Sequence, residues 1–190
     1  MPTSHPNPAP SPRESIAYPL DEFYARSGTP LPPLDQIDGQ ALPEPYRTLL
    51  VHDRDMTSTL ENFHGAGVTL RLLGRERKGD DYFREVLLVL EGSERPVEFG
   101  AIQIHLDRFP DKARQDILEE RYPLGHVLKD HAIPYVSRPR AFLRIASDII
   151  INALLNLQGA HVLYGRRNTL SNPAGEPLAQ IVEILPPTTP

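Results

Sequence analysis

The segment Leu163–Leu185, LYGRRNTLSNPAGEPLAQIVEIL, constrains the chain most. Two runs of strand-forming residues flank Ser171-Asn172-Pro173-Ala174-Gly175-Glu176, a cluster of turn formers, which is the pattern of a β-hairpin. Alternation along the second run puts Ala179, Ile181, Glu183 and Leu185 on one face and Gln180, Val182 and Ile184 on the other. Glu183 therefore stands on an apolar face. A lone buried carboxylate is too costly to keep, so it must find a cation, hold a proton or reach a water-filled pocket.

The same period of two recurs in Val68–Leu73, Tyr82–Leu90 and Val97–Leu106, with polar links at Arg75–Asp81 and Glu91–Arg95. These runs predict an antiparallel meander. The middle one is nearly continuous in apolar residues, so both its faces are expected to be covered. It still carries Arg84 and Glu85 on opposite faces, and periodicity does not choose which of the two is buried.

Helical spacing appears upstream, where Tyr46, Leu49 and Leu50 are followed by Met56, Leu60 and Phe63. Two short helices are predicted, broken around His52–Asp55, with Asp55 or Thr57 as the cap of the second and Gly65 as its stop. Pro110–Glu120 reads as a surface helix, and Tyr122–Asp130 as a turn leading into a short helix. Ala141–Ile145 reads as a strand, and Asp148–Leu157, capped by Ser147 and ended by Gly159, as an apolar helix buried in the domain or a partner.

Residues 1–33 are rich in Pro and Ser and are expected to form a disordered or draped arm, with Ile16–Tyr24 aromatic enough to dock as a short turn. Residues 34–187 then make one α+β domain built on an antiparallel sheet, which suits a 190-residue chain with 39% hydrophobic content.

A net charge of −5 argues against nucleic acid as a partner, so any anionic ligand must be held by local arginines. The chain has no cysteine, which removes disulfides, thiolate metal sites and a cysteine nucleophile. The histidines lack metal-ligand spacing, and no G-x-S-x-G, Walker A or dinucleotide motif is present, so no metal and no cofactor are expected. No apolar run reaches the length of a membrane span, and a cytoplasmic protein, monomeric or weakly dimeric, is expected. The remaining inventory of arginines, one odd Glu and an apolar interior suits a small aromatic or alicyclic carboxylic acid.

In order along the chain stand Leu49-Leu50, Asp55-Met56-Thr57, Leu60-Glu61, Arg84-Glu85-Val86-Leu87-Leu88, Pro123-Leu124-Gly125, Leu163-Tyr164-Gly165-Arg166-Arg167 and Gly175-Glu176-Pro177-Leu178, leading to Glu183 and Pro186. In this order and approximate spacing the sequence resembles the chorismate pyruvate-lyase family from about Leu42 to Pro186. The resemblance implies an antiparallel sheet with the ligand enclosed under helical flaps, in a fold related to small-molecule effector domains of bacterial transcription regulators.

Carried over by motif, the ligand contacts are Met56 on a first flap, Arg84 on the sheet, Leu124 on a second flap and Glu183 on the last strand. Arg84 and Glu183 are the implied catalytic pair: Arg84 clamps the ring carboxylate, and Glu183 hydrogen-bonds the carbon-4 hydroxyl or the leaving ether oxygen. The implied reaction is a cofactor-free elimination of pyruvate from chorismate to give 4-hydroxybenzoate. A related chorismate-consuming hydroxybenzoate synthase and a non-catalytic aromatic-acid binding module are the alternatives.

Two positions depart from the pattern. Ala101 stands where the lyases carry an arginine; chorismate has two carboxylates, so the loss of one clamp is expected to weaken binding or change substrate choice unless Arg71, Arg138, Arg140 or Arg166 compensates. The span 146–162 is longer than in the family and is expected to rebuild a flap or make a dimer contact.

Overall fold

A computed structural model describes residues 15–188 of the chain. Its centre is a seven-stranded sheet, antiparallel at every pairing, with strands β1 (Leu34–Ile37), β2 (Val68–Lys78), β3 (Asp81–Leu90), β4 (Pro96–His105), β5 (Val136–Ala146), β6 (Val162–Ser171) and β7 (Pro177–Leu185). Their spatial order is β1-β5-β6-β7-β4-β3-β2. The β2-β3-β4 meander and the β6-β7 hairpin form as the alternation predicts, and β7 closes the sheet by pairing with β4. With helices on both faces, the class is α+β.

Side-chain alternation gives the sheet two unlike faces. On one, Phe83, Leu87, Phe99, Ala101, Leu143, Val182 and Ile184 form a closed apolar cluster with helices α1 (Leu20–Ser27) and α6 (Ile149–Leu155). On the other lie two further clusters. One gathers around α2 (Tyr46–Leu50) and α3 (Met56–His64), the other around α4 (Asp111–Glu119) and α5 (Leu124–Asp130). Local signals set these helices as read: Asp55 accepts from the Ser58 amide at 2.8 Å to cap α3, and Gly65 ends it at φ 64°, a left-handed conformation natural to glycine.

Three expectations are corrected. Residues 1–14 of the expected arm lie outside the described residues; Ile16–Tyr24 docks on the domain as expected, but through an eight-residue helix and not a short turn, with Leu20, Phe23 and Tyr24 buried in the first cluster and the Tyr24 hydroxyl donating to Asp148 at 2.8 Å. The aromatic content located the docking segment, while eight residues are too few for the helical period to show.

The α6 cap is Asp148, accepting from the Ile151 amide at 2.7 Å, rather than Ser147, and the helix ends at left-handed Asn156 rather than Gly159. Nor does α6 rebuild a flap, since its Ile151 and Leu155 pack beside α1 on the far side of the sheet, and it is not apolar-buried all round, because Ile149 is 83% exposed. Strand β5 is also longer than Ala141–Ile145, because a bulge at Pro139/Ala141 absorbs the proline that hid its first half.

Candidate functional site

The seam between the two clusters on the α2–α5 face is not filled. It holds a cavity that is partly open to solvent. The floor comes from the sheet in cross-strand rows. One row is Arg84, Ile102, Ile181 and Asn168, and the next is Val86, Gly100 and Glu183; Arg166 continues the register of that row on β6 but lies off the lining. Leu88 and Glu98 form a third. The roof is the start of α3, with Asp55, Met56 and Thr57, and the start of α5, with Pro123, Leu124 and Gly125.

All four residues singled out in the sequence, Met56, Arg84, Leu124 and Glu183, line this one cavity. Of the charges on β3, Arg84 is the buried one, 1% exposed, while Glu85 on the other face keeps partial exposure. The Arg84 Nε and Nη1 groups have no hydrogen-bond partner, and burial pulls its guanidinium down to about 10, still cationic at neutral pH. Tyr82 and Glu120, hydrogen-bonded to each other, are the charge-stabilising groups behind it. A guanidinium left unpaired in a dry site is costly, and a carboxylate accepting from its fork would remove that cost.

Glu183, 3% exposed, does not stand alone: it accepts from Arg166 Nε. Arg166 in turn donates from Nη1 to the carbonyls of Leu50 (3.1 Å) and His52 (3.2 Å), and from Nη2 to that of Arg54 (3.2 Å). It thereby ties Glu183 to the loop that launches α3. Arg166 is therefore structurally committed and does not line the cavity. Arg71 pairs with Glu94 at the surface, and Arg138 and Arg140 also lie off the lining. Among the described residues, Arg84 is the single cation of the lining, so the expected compensation for Ala101 is absent. The Ala101 side chain points into the opposite apolar cluster, so position 101 does not line the cavity.

The residue that sequence reasoning missed is Glu98. It is 4% exposed, lines the cavity and leaves Oε2 without a partner. Burial first, and the nearby Glu183 second, push its carboxyl well above the ordinary carboxylate range, against a smaller opposing pull from Arg166. The signal was available: alternation places Glu98 with Gly100, Ile102 and Ile104 on an apolar face, the reading that flagged Glu183. A β-bulge opposite Leu88/Val89 adjoins it, and such bulges commonly re-aim side chains beside sites.

The two roof elements touch. A Cβ on Gly125 would stand 2.7 Å from Asp55 Oδ1 and from Thr57 Oγ1, so the absence of a side chain lets α5 close on α3. His126 on α5 meets Glu61 on α3 at 2.9 Å, and the Tyr135 hydroxyl donates to Asp55 at 3.1 Å.

No protein-family model and no curated protein matches the chain in sequence. In structure it is similar to PhnF from Mycobacterium smegmatis, at a TM-score of 0.53 and 10% identity over 90% of this chain and 94% of that one. It is also similar to the effector domain of PhnF, at 0.52 and 12% over 70% of this chain and 88% of that one. A possible transcriptional regulator, YydK from Bacillus subtilis, gives 0.51 and 9% over 93% and 95%. What they share is the fold. The likeness to an effector domain agrees with the relationship to regulator effector domains that the sequence resemblance implied. No helix among the described residues is long and apolar enough to cross a membrane.

Proposed function

We propose that the cavity binds a small cyclic carboxylic acid, with the ring carboxylate on Arg84, and that its reaction is the elimination of pyruvate from chorismate. The observation that carries this reading is Arg84 itself, a fully buried guanidinium whose Nε and Nη1 groups are unpartnered at one end of an apolar, lidded cavity. In the elimination, the carbon-4 hydrogen leaves as a proton and the carbon-3 to oxygen bond breaks. The departing enolpyruvate takes up a proton to become pyruvate, and the ring aromatises to 4-hydroxybenzoate. Aromatisation drives the reaction, so orientation and proton transfer are what the protein must supply. Glu183, held by Arg166, faces the oxygen-bearing edge of the ring, while Met56 and Leu124 cover it from above and exclude water.

The second reading, a binding module without turnover, is favoured by the fold shared with an effector domain. Mixing the protein with chorismate separates the two. The lyase reading expects loss of the chorismate absorption with matched amounts of 4-hydroxybenzoate and pyruvate, and a turnover about 10²–10⁴-fold lower in Glu183→Gln. The module reading expects unchanged chorismate with saturable binding of aromatic acids. If neither turnover nor binding occurs, the assignment of the cavity to a carboxylic acid is wrong.

A further inference from the structure

The cavity has a direction. Arg84 stands in one cross-strand row and Glu98 two rows away, about 13 Å along the strand at the usual rise per residue. Between them the floor is Val86 and Gly100, one apolar and one without a side chain. Glu98 leans into that gap, because its Oε1 lies 3.0 Å from where a Cβ on Gly100 would be. The floor thus offers a slot for one six-membered ring with a cationic end and an acidic end.

Glu98 and Glu183, one row apart on the floor, are not equivalent. Glu183 is matched by Arg166, whereas Glu98 has an oxygen with no partner at all. The charged groups facing Glu98 are Glu183 from β7, Arg166 from β6 and Asp55 from the start of α3, two anions against a cation already engaged. A second bare carboxylate there would be buried and repelled, and a carboxylic acid would not.

We propose that Glu98 meets the ligand as a hydrogen-bond donor, so that the site selects ring acids that carry an uncharged oxygen, and not a second carboxylate, at the position across the ring from the acid. This rests on the reading that Arg84 holds the ligand carboxylate. The carbon-4 hydroxyl of chorismate and the hydroxyl of 4-hydroxybenzoate both satisfy the requirement, since each lies across the ring from the ring carboxylate. Glu98 is thereby a specificity-determining residue beside Glu183. The direction of its proton affinity, raised by burial and by Glu183, agrees.

The test compares benzoate, 4-hydroxybenzoate and terephthalate by calorimetry, from mildly acidic to mildly alkaline pH, on the parent, Glu98→Gln and Glu98→Leu. The parent is expected to bind 4-hydroxybenzoate about tenfold or more tighter than benzoate, as for a buried polar group otherwise left unsatisfied, and terephthalate weakest. Its 4-hydroxybenzoate affinity should fall toward alkaline pH as Glu98 ionises. Glu98→Gln, a donor that cannot ionise, should keep the preference and lose the alkaline decline. Glu98→Leu should lose the preference. An infrared difference between parent and Glu98→Gln at neutral pH should show the carbonyl stretch of a protonated carboxylic acid.

The same alkaline decline in Glu98→Gln, an undiminished preference in Glu98→Leu or no acid carbonyl band would each overturn the role of Glu98. If benzoate and 4-hydroxybenzoate both fail to bind the parent, the Arg84 reading falls first and takes this one with it.

Discussion

The two faces of the sheet are built from the same strands and differ in what they leave unpaired. Under α1 and α6, Phe99, Leu143, Val182 and Ile184 close an apolar cluster with nothing owed to a ligand. Across the strand backbone, one residue away in each case, Arg84, Glu98 and Glu183 are just as buried but are only partly satisfied. Stability alone does not account for the second face, since replacing buried ion pairs by well-packed apolar residues is commonly neutral or favourable. One face holds the fold, and the other is held by it.

That division can be broken most severely at α1. Removing residues 1–28 takes Leu20, Phe23 and Tyr24 out of the closed cluster, each worth about 1.5–3 kcal/mol of burial. A loss of several kcal/mol in denaturant unfolding is expected. An unchanged midpoint would show that α1 is dispensable and that the closed face is not the structural one.

Next in size is a paired substitution. Phe99→Ala is expected to cost about 3–5 kcal/mol of folding stability, the usual range for a buried aromatic. Arg84→Ala should cost about 2–5 kcal/mol of aromatic-acid affinity, the range for removing one partner of a buried charge pair, with a smaller change in stability. The opposite pattern, Arg84→Ala unfolding the protein while its residual fold still binds, would erase the distinction between the faces.

A third measurement sharpens it through pH. Because the folded state holds the Glu98 proton more tightly than the unfolded chain does, the resulting stability is complete below the ordinary value of 4.5 and is lost as pH rises through the folded value. Glu98→Gln has no such loss. Chemical denaturation at pH 5 and pH 8 should therefore show the variant gaining on the parent at the higher pH. Parallel behaviour at both would mean that Glu98 is not a buried acid.

The smallest expected effect is at the lid. Gly125→Ala forces a methyl group to 2.7 Å from Asp55 and Thr57, so α5 must back away from α3. Ligand dissociation is expected to quicken several-fold in stopped flow, with little change in the melting temperature. A dissociation rate equal to the parent's would mean that the two flaps do not gate the cavity.

Much of this was legible in the chain because strand alternation carries direct information about faces. It placed Glu183 on an apolar face and Arg84 in the meander, and helix punctuation by Asp55 and Gly65 located α3. Glu98 obeys the same rule and escaped only because the run Val97–Leu106 was read for its strand and not for its odd member. What alternation does not encode is which strands become neighbours. The meeting of β4 with β7, which brings Glu98 within electrostatic reach of Glu183, is a long-range pairing. The burial of α1 is likewise tertiary, as its few apolar residues find a face only once β4 and β5 have supplied it. The resemblance to the lyases located the lining, but it gave weight to position 101, whose side chain faces away from the cavity.

The Arg166 bridge carries one more consequence. A single guanidinium is bolted both to Glu183 and to the carbonyls of residues 50, 52 and 54, so the floor and the hinge of the α3 flap share one fastener. A glutamine at 183 still offers an oxygen to Arg166 Nε, whereas an alanine does not. Glu183→Gln therefore interrogates chemistry with the hinge intact. Glu183→Ala releases the hinge as well, and the difference between the two variants measures how much of the site's performance is mechanical.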